Sequence, residues 1–339
     1  MQYRRLGQTS LKVSALSLGT WLNLSTKISG NDAHDYINHA LEAGVNLIDT
    51  AESYEGGDVE RLIGDVLSTG PFPRDTYCIC TKIYFGATTR ENRAMLRPTQ
   101  QGLSRKHILE GCDASLHRLQ TDYIDILLCH RFDPDTSLEE LAWTMHSLVL
   151  QGKILYWGTS EWPPEEIERL IEIAGKNHLI GPSIEQPQLN VVHRDTYKRL
   201  VGWGGAVSAL GLMTWSPLAS GILSGRYSER PDAEGRLNDR STSWVQALAF
   251  GKNRSRILAL SKVLTRIAGE LQISPAQLAV AWCLKQPMVS TVIIGGSTRE
   301  QLVENLGATE KVDLLTTDIM QAIENAVSSR IVENAVGGC

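Results

Sequence analysis

The sequence predicts an α/β fold, a (β/α)8 TIM barrel with an N-terminal β-hairpin and long loops at its C-terminal face. Short apolar runs alternate with amphipathic segments, and the alternation repeats eight times. Alternation of this kind makes a parallel sheet, and eight units are the number that closes one into a barrel. The competing arrangement is an open doubly wound sheet, and the absence of a Gly-x-Gly-x-x-Gly turn after the first strand weighs against it.

"YRRLGQTSLKVSAL" reads as the opening hairpin. Strands are expected at 16–20, 46–50, 77–82, 123–130, 155–160, 183–188, 212–217 and 290–296. Between them lie segments with helical spacing, among them "DAHDYINHALEAG", "DVERLIGDVLS", "SRKHILEGCDASLHRL", "SLEELAWTMHSLVLQG", "PPEEIERLIEIAG" and "STREQLVENLGA". Ser104 and the pair Pro163–Pro164 mark helix starts, and Gly44, Gly152 and Gly175 mark ends. Two segments, 86–103 and 225–256, are polar, basic in places and too long for simple turns. They are expected as loops at the C-terminal ends of strands, where barrels shape their sites.

The 339 residues, 42% of them hydrophobic, can bury a large core, and we read 1–339 as one barrel domain. A net charge of −5 without a basic block gives no nucleic-acid footprint and no polybasic membrane patch, so small molecules are the expected partners. No apolar run approaches a membrane span and the start lacks a signal core, so the chain is expected to be cytoplasmic. The cysteines at 78, 80, 112, 129, 283 and 339 form no Cys-x-x-Cys pair and read as reduced and structural. The sequons at Asn23 and Asn253 carry little weight without secretion. Scattered histidines without ligand spacing argue against a metal, and no Gly-x-Ser-x-Gly elbow supports serine hydrolysis.

If the strands are parallel, one face collects Thr20, Trp21, Asp49, Tyr54, Lys82, His130, Ser160, Gln186, Trp215, Ser216 and Ser297. Taken singly, each has a bland explanation: the aspartate as a cap, the lysine as a solvated charge, the histidine as a structural residue. Taken together, Asp49, Tyr54, Lys82 and His130 suggest proton chemistry. A free tyrosine, with a pKa of about 10, donates poorly at neutrality, and a neighbouring ammonium lowers that value. Lys82 would supply the ammonium, Asp49 would compensate its burial, and His130 would position a carbonyl oxygen or assist proton movement. Such a site suits carbonyl reduction and implies a hydride donor.

The markers "IDTAESY", "CTK", "GLSRKHILEG", "YIDILLCHRFD", "GKILYWGTSEW", "MTWSPLASGILSGRY", "QLAVAWCL" and "GGSTREQLVENLGA" resemble the aldo-keto reductase superfamily over nearly the whole chain. The chain is most similar to the branch of potassium-channel beta subunits and their microbial, plant and fungal relatives. The resemblance implies a catalytic tetrad of Asp49, Tyr54, Lys82 and His130 with Tyr54 as proton donor, and NADPH, less often NADH, as cofactor. Channel subunits proper typically carry asparagine at the last tetrad position, so His130 groups this chain with the ordinary reductases.

For the cofactor, the resemblance implies Thr20, Trp21 and Asp49 among the contacts, Ser160 and Gln186 at the nicotinamide amide, and Trp215 stacked on the nicotinamide. It places Ser216, Pro217, Leu218, Ala219 and Ser220 along the pyrophosphate, with Arg226 beside it. Gly295 is implied as a further contact, Ser297 and Gln301 fall at the adenosine ribose or its phosphate, Glu304 and Asn305 at the adenine, and Arg236 at a 2′-phosphate, which favours NADPH. Lys27 and Glu161 depart from the branch's pattern, so their contacts are open. By position alone, the segment after Lys82 is expected to form the substrate mouth with Trp21, Tyr84, Phe85 and an aromatic-bearing loop near Trp244.

Three functions compete: reduction of an aldehyde or ketone; a cofactor-binding, redox-sensing regulatory subunit of the channel-beta kind; and a tailoring enzyme of the same fold in a biosynthetic pathway. His130 favours catalysis, as does the lack of a long segment before "YRRLG". Homo-oligomers are common in the branch, but no interface can be read from one sequence.

Overall fold

The computed structural model describes residues 1–24, 26–229, 233, 235, 237–238, 243–251 and 253–329. Two short strands joined across residues 6–11 give the hairpin, β1 (Tyr3–Arg5) and β2 (Lys12–Ser14), paired antiparallel with Tyr3 opposite Ser14. Among the described residues, eight parallel strands then close a barrel: β3 (Leu16–Gly19), β4 (Leu47–Asp49), β5 (Cys78–Ile83), β6 (Ile124–Cys129), β7 (Ile154–Thr159), β8 (Ile184–Glu185), β9 (Gly211–Thr214) and β10 (Val289–Ile294). Closure comes from the pairing of β10 with β3, Ile293 opposite Ser17.

Every expected strand is present, most are shorter by a residue or more at their ends, and two of the shortened ones have a visible local cause. β8 stops before Pro187, which has no N–H to continue a ladder, and β9 ends where Ser216 turns to φ +60°.

The first five helices match the amphipathic segments: α1 (Gly30–Glu42), α2 (Asp58–Thr69), α3 (Arg105–Leu119), α4 (Leu138–Leu150) and α5 (Pro164–Lys176). The Ser104 hydroxyl accepts from His107 N at the start of α3, and Gly44 and Gly152 follow their helices at positive φ. Gly175 does not end its helix. α5 runs on through Lys176, and the left-handed residue is His178 at φ +54°.

Further along lie α6 (Asp195–Trp203), α7 (Arg226–Glu229), α8 (Ser243–Phe250), α9 (Arg254–Glu270), α10 (Pro275–Leu284), α11 (Arg299–Leu306) and α12 (Thr317–Ser328). The expectation that 225–256 is a loop is therefore corrected: α7, α8 and the first turn of α9 lie within it. The apolar stretch "WVQALAF" is long enough for two helical turns despite its polar flanks. The segment 86–103 is irregular as expected, apart from 3₁₀ turns at Arg93–Met95 and Pro98–Gln100.

Contacts divide the chain into two units. The first, Met1–Pro187, Thr196–Trp215 and Met288–Leu302, contains the hairpin and all eight barrel strands. Its core is the inward row of the barrel, Leu47, Cys78, Cys80, Ile126, Leu128, Ile184, Met213 and Ile293, joined by Leu6 and Val13 of the hairpin. Gly158 shows how tightly the wall is built: a Cβ there would lie 2.1 Å from the Ile184 carbonyl oxygen across the β7–β8 pairing. The second unit, Gln188–Asp195, Ser216–Pro287 and Val303–Cys339, is organised on α10, which opens on a Ser274–Gln277 capping box and is buried on every side. No described helix is long and apolar enough to cross a membrane.

Candidate active site

Side chains along a strand alternate, so extending each inward core row by two residues gives the next inward position. From Leu47 that position is Asp49, from Cys80 it is Lys82, from Leu128 His130, from Ile184 Gln186 and from Met213 Trp215. The same alternation that fills the barrel thus carries polar groups to its open end. Tyr54 arrives by another route: after β4 the chain enters a 3₁₀ turn, Tyr54–Gly57, in which Glu55 and Gly56 take positive φ.

The structure brings Asp49, Tyr54, Lys82 and His130 together. Lys82 Nζ donates to Asp49 Oδ2 at 2.7 Å, to the Thr50 carbonyl at 2.7 Å and to Tyr54 Oη at 3.2 Å, with the lysine side chain 1% exposed. All three ammonium protons are thereby accounted for. Burial works against this charge, but the Asp49 carboxylate and the tyrosine outweigh it and hold the ammonium above its ordinary range. The other aspartate oxygen, Oδ1, accepts from Gln186 Nε2 at 2.7 Å, and the Gln186 carbonyl accepts from Ser160 Oγ at 3.0 Å.

The expected lowering of the Tyr54 pKa is not the net result. Burial of the phenol is the largest influence and raises it, Lys82 pulls it down, Asp49 pushes it up, and the balance lies above 10. His130 moves the opposite way: burial, then the charges of Lys82, Arg131 and Arg93, hold its imidazole well below the ordinary 6.5, so it is neutral at pH 7. Its ring meets Tyr54 edge-to-face at 6.2 Å and Phe85 at 5.1 Å, and its buried Nδ1 makes no hydrogen bond to any described residue.

Trp21 lies near Tyr54, ring centroids 6.4 Å apart, and meets Trp215 edge-to-face at 6.2 Å. Glu161, one of the two positions left open, stands at φ +58° and accepts from the Trp215 indole N–H at 2.9 Å. Lys27 is exposed. Beneath Glu161 is Glu185, fully buried, accepting from the Thr159 hydroxyl and the Trp162 N–H. Burial, with Glu161 adding to it, pushes the Glu185 carboxyl up to about 8.

The start of the expected substrate segment is pinned by a residue that carried no assignment. Buried Glu52 accepts from Tyr84 N and Gly86 N, both at 2.8 Å, and faces His107 Nε2 at 3.5 Å. Tyr84 and Phe85, ring against ring at 4.9 Å, are thereby set beside His130. Nothing in the sequence shows that Glu52 points inward. The adjacency of "AES" to the tetrad residues is its only signal.

Other expected cofactor residues have partners within the chain. The Thr20 hydroxyl donates to the Asp49 carbonyl at 2.8 Å and binds β3 to β4. Gly295 has no room for a side chain, since a Cβ would lie 2.5 Å from Asn23 Nδ2, and Gln301 Oε1 accepts from Ser297 N at 2.8 Å. In the second unit, Ser216, Ala219 and Ser220 have φ of +60°, +46° and +57°, and Leu218 at φ −96° precedes Ala219. A residue at negative φ followed by one at positive φ is the backbone form of an anion-binding nest, although here Ala219 N already donates to the Ser216 carbonyl at 3.0 Å; Pro217 lies in the same loop. Arg226 opens α7 and is exposed, Glu304 is exposed, and Asn305 is 2% exposed. Trp244 lies in α8 and not in a loop, which corrects that expectation. Arg236 lies outside the described residues.

Residues 15–328 match the profile of the Aldo/keto reductase family. Over 332 residues the chain is 39% identical to the "Putative voltage-gated potassium channel subunit beta" of Schizosaccharomyces pombe, covering 96% of this chain and 93% of the relative. It is 38% identical over 333 residues to the "Probable voltage-gated potassium channel subunit beta" of Oryza sativa subsp. japonica, covering 97% and 98%.

Proposed function

The chain belongs to the aldo/keto reductase family, whose members are oxidoreductases that use a nicotinamide cofactor, and from this we propose that it reduces an aldehyde or ketone to the alcohol with NADPH. One observation carries the reading: a single buried ammonium, Lys82 Nζ, touches both a carboxylate, Asp49, and a phenol, Tyr54.

The cofactor, when bound, supplies the hydride that reduces the carbonyl carbon. Its chemistry suits the groups present: an indole steered by Glu161, amide and hydroxyl groups at Gln186 and Ser160, and, in the second unit taken by itself, a nest at Leu218–Ala219 suited to phosphate. Arg226 and Arg236 are proposed as its phosphate partners and as the basis of a preference for NADPH over NADH.

Tyr54 keeps its proton in the resting site, because burial holds its pKa above 10. When an oxygen beside it gains negative charge, the phenol gives that proton up, and Lys82 stabilises the phenolate left behind. Asp49 fixes the ammonium and repays its burial. His130, neutral, donates one hydrogen bond to the substrate oxygen without competing as an acid. Aromatic walls from Trp21, Trp215 and Phe85 keep water from the reacting oxygen.

The test is NADPH consumption, followed by absorbance, against a panel of aldehydes, ketones and quinones, repeated with NADH. Turnover of at least one carbonyl class, faster with NADPH, is expected; NADPH binding without turnover of any of them would overturn the reading. The names of the two relatives favour a second reading, a cofactor-binding regulatory subunit of a channel, and that last outcome is the one it predicts.

A further inference from the structure

Resting on the reductase reading, we propose that the substrate carries a carboxylate or another terminal oxyanion close to its carbonyl, and that Arg93 and Arg131 bind it at the mouth of the site.

The two guanidiniums converge on one ring. Arg93 Cζ stands 4.0 Å from the centroid of Phe85 and Arg131 Cζ 5.8 Å from it, and the Phe85 ring meets His130 at 5.1 Å. Arg131 Nη1 also donates to the His130 carbonyl, which holds its guanidinium beside the tetrad and uses one of its donors. Neither arginine forms an ion pair with a described carboxylate. Arg93 Nε is buried and has no hydrogen-bond partner among the described residues. Leaving such a donor unpaired is costly, and a charged acceptor is the partner that offsets most. Arg90 adds a third positive charge to the field felt by Arg93.

Two of the acids nearest Phe85 are already committed, and Glu55 and Glu91 face each other close by. Glu52 is held by Tyr84 N, Gly86 N and His107. Asp133 accepts from Leu103 N, Asp135 N and the Thr136 hydroxyl. Arg93 and Arg131 are thus positive groups at the mouth without a carboxylate partner among the described residues, in a chain whose net charge is −5. Stacking on Phe85 holds the guanidiniums in place, and their remaining N–H groups are the donors an oxyanion would meet.

The geometry also sets the length of the substrate. The legs of 4.0 Å and 5.1 Å bound the distance from the Arg93 guanidinium to the His130 ring at about 9 Å. A hydrogen bond of about 3 Å at each end leaves room for a chain of only a few carbons between carbonyl and anion.

The test compares kcat/KM for succinic semialdehyde and for butanal in the wild type, Arg93→Gln, Arg131→Gln and Arg93→Lys. In parallel, succinate binding in the presence of NADPH is measured by calorimetry. The wild type should prefer the semialdehyde by about tenfold or more, Arg93→Gln should remove about tenfold of that preference, and Arg93→Lys should retain part of it. The preference should also shrink as salt is raised. Equal losses on both aldehydes in the glutamine variants would mark a packing role and overturn the proposal. Ready reduction of butanal, with no preference for the semialdehyde and no succinate binding, would overturn it while leaving the reductase reading intact. Succinate binding that is lost in Arg93→Gln, in a protein that reduces neither these aldehydes nor any carbonyl of the wider panel, would support the anion site and defeat the reductase reading.

Discussion

At the scale of the residue, the site depends on what burial does to ionisable groups. Asp49, Lys82 and His130 were legible in the sequence because they are polar groups at or just beyond the C-terminal ends of apolar runs that read as parallel strands. The direction of the Tyr54 shift was not legible. Sequence reasoning supplies the sign of a neighbouring charge, but the larger effect, dehydration of the phenol, exists only once the walls are built. The Lys82–Asp49 pair is balanced in the same way: each charge tolerates burial because of the other. Lys82→Met should therefore cost about 3–5 kcal/mol in unfolding free energy, because it strands a buried carboxylate. Adding Asp49→Asn should recover part of that loss in denaturant titrations. Strictly additive losses would show that the two groups are not coupled.

At the scale of the element, the strands place side chains and the segments beyond them complete the site. Glu52, Glu161 and Arg131 each follow a strand by one to three residues, where no period fixes direction, and so the pattern could not assign their partners. α8 was missed for a related reason, its short apolar stretch being set within polar flanks. At the end of β7 and β8, Glu185 stores a pH dependence. Its folded pKa of about 8 lies above its ordinary 4.5, so between those values the folded chain keeps a proton that the unfolded chain has released. Its stabilising contribution is complete below pH 4.5 and is lost as pH rises toward 8. Urea midpoints from pH 5 to 8 should fall in the wild type relative to Glu185→Gln, with the gap growing by a few kcal/mol over the range. Parallel curves for the two proteins would contradict the buried, protonated carboxyl.

At the scale of the whole molecule, the eight-fold alternation of strand and helix was enough to give the barrel and its closure between β10 and β3. The division of contacts into two units was not visible, since helices such as α10 and α12 read in sequence like any barrel helix. The barrel joins a dry interior, built from the hairpin upward, to a ring of polar residues at its open end, and the proposed chemistry depends on that junction. The most direct measurement is kcat/KM of Tyr54→Phe against the wild type on a reducible carbonyl, with NADPH affinity measured separately by fluorescence. A fall of about 10²–10⁴-fold with coenzyme binding retained is predicted, the range expected for loss of a general acid. A Tyr54→Phe protein that reduces the same carbonyl as fast as the wild type would contradict the account.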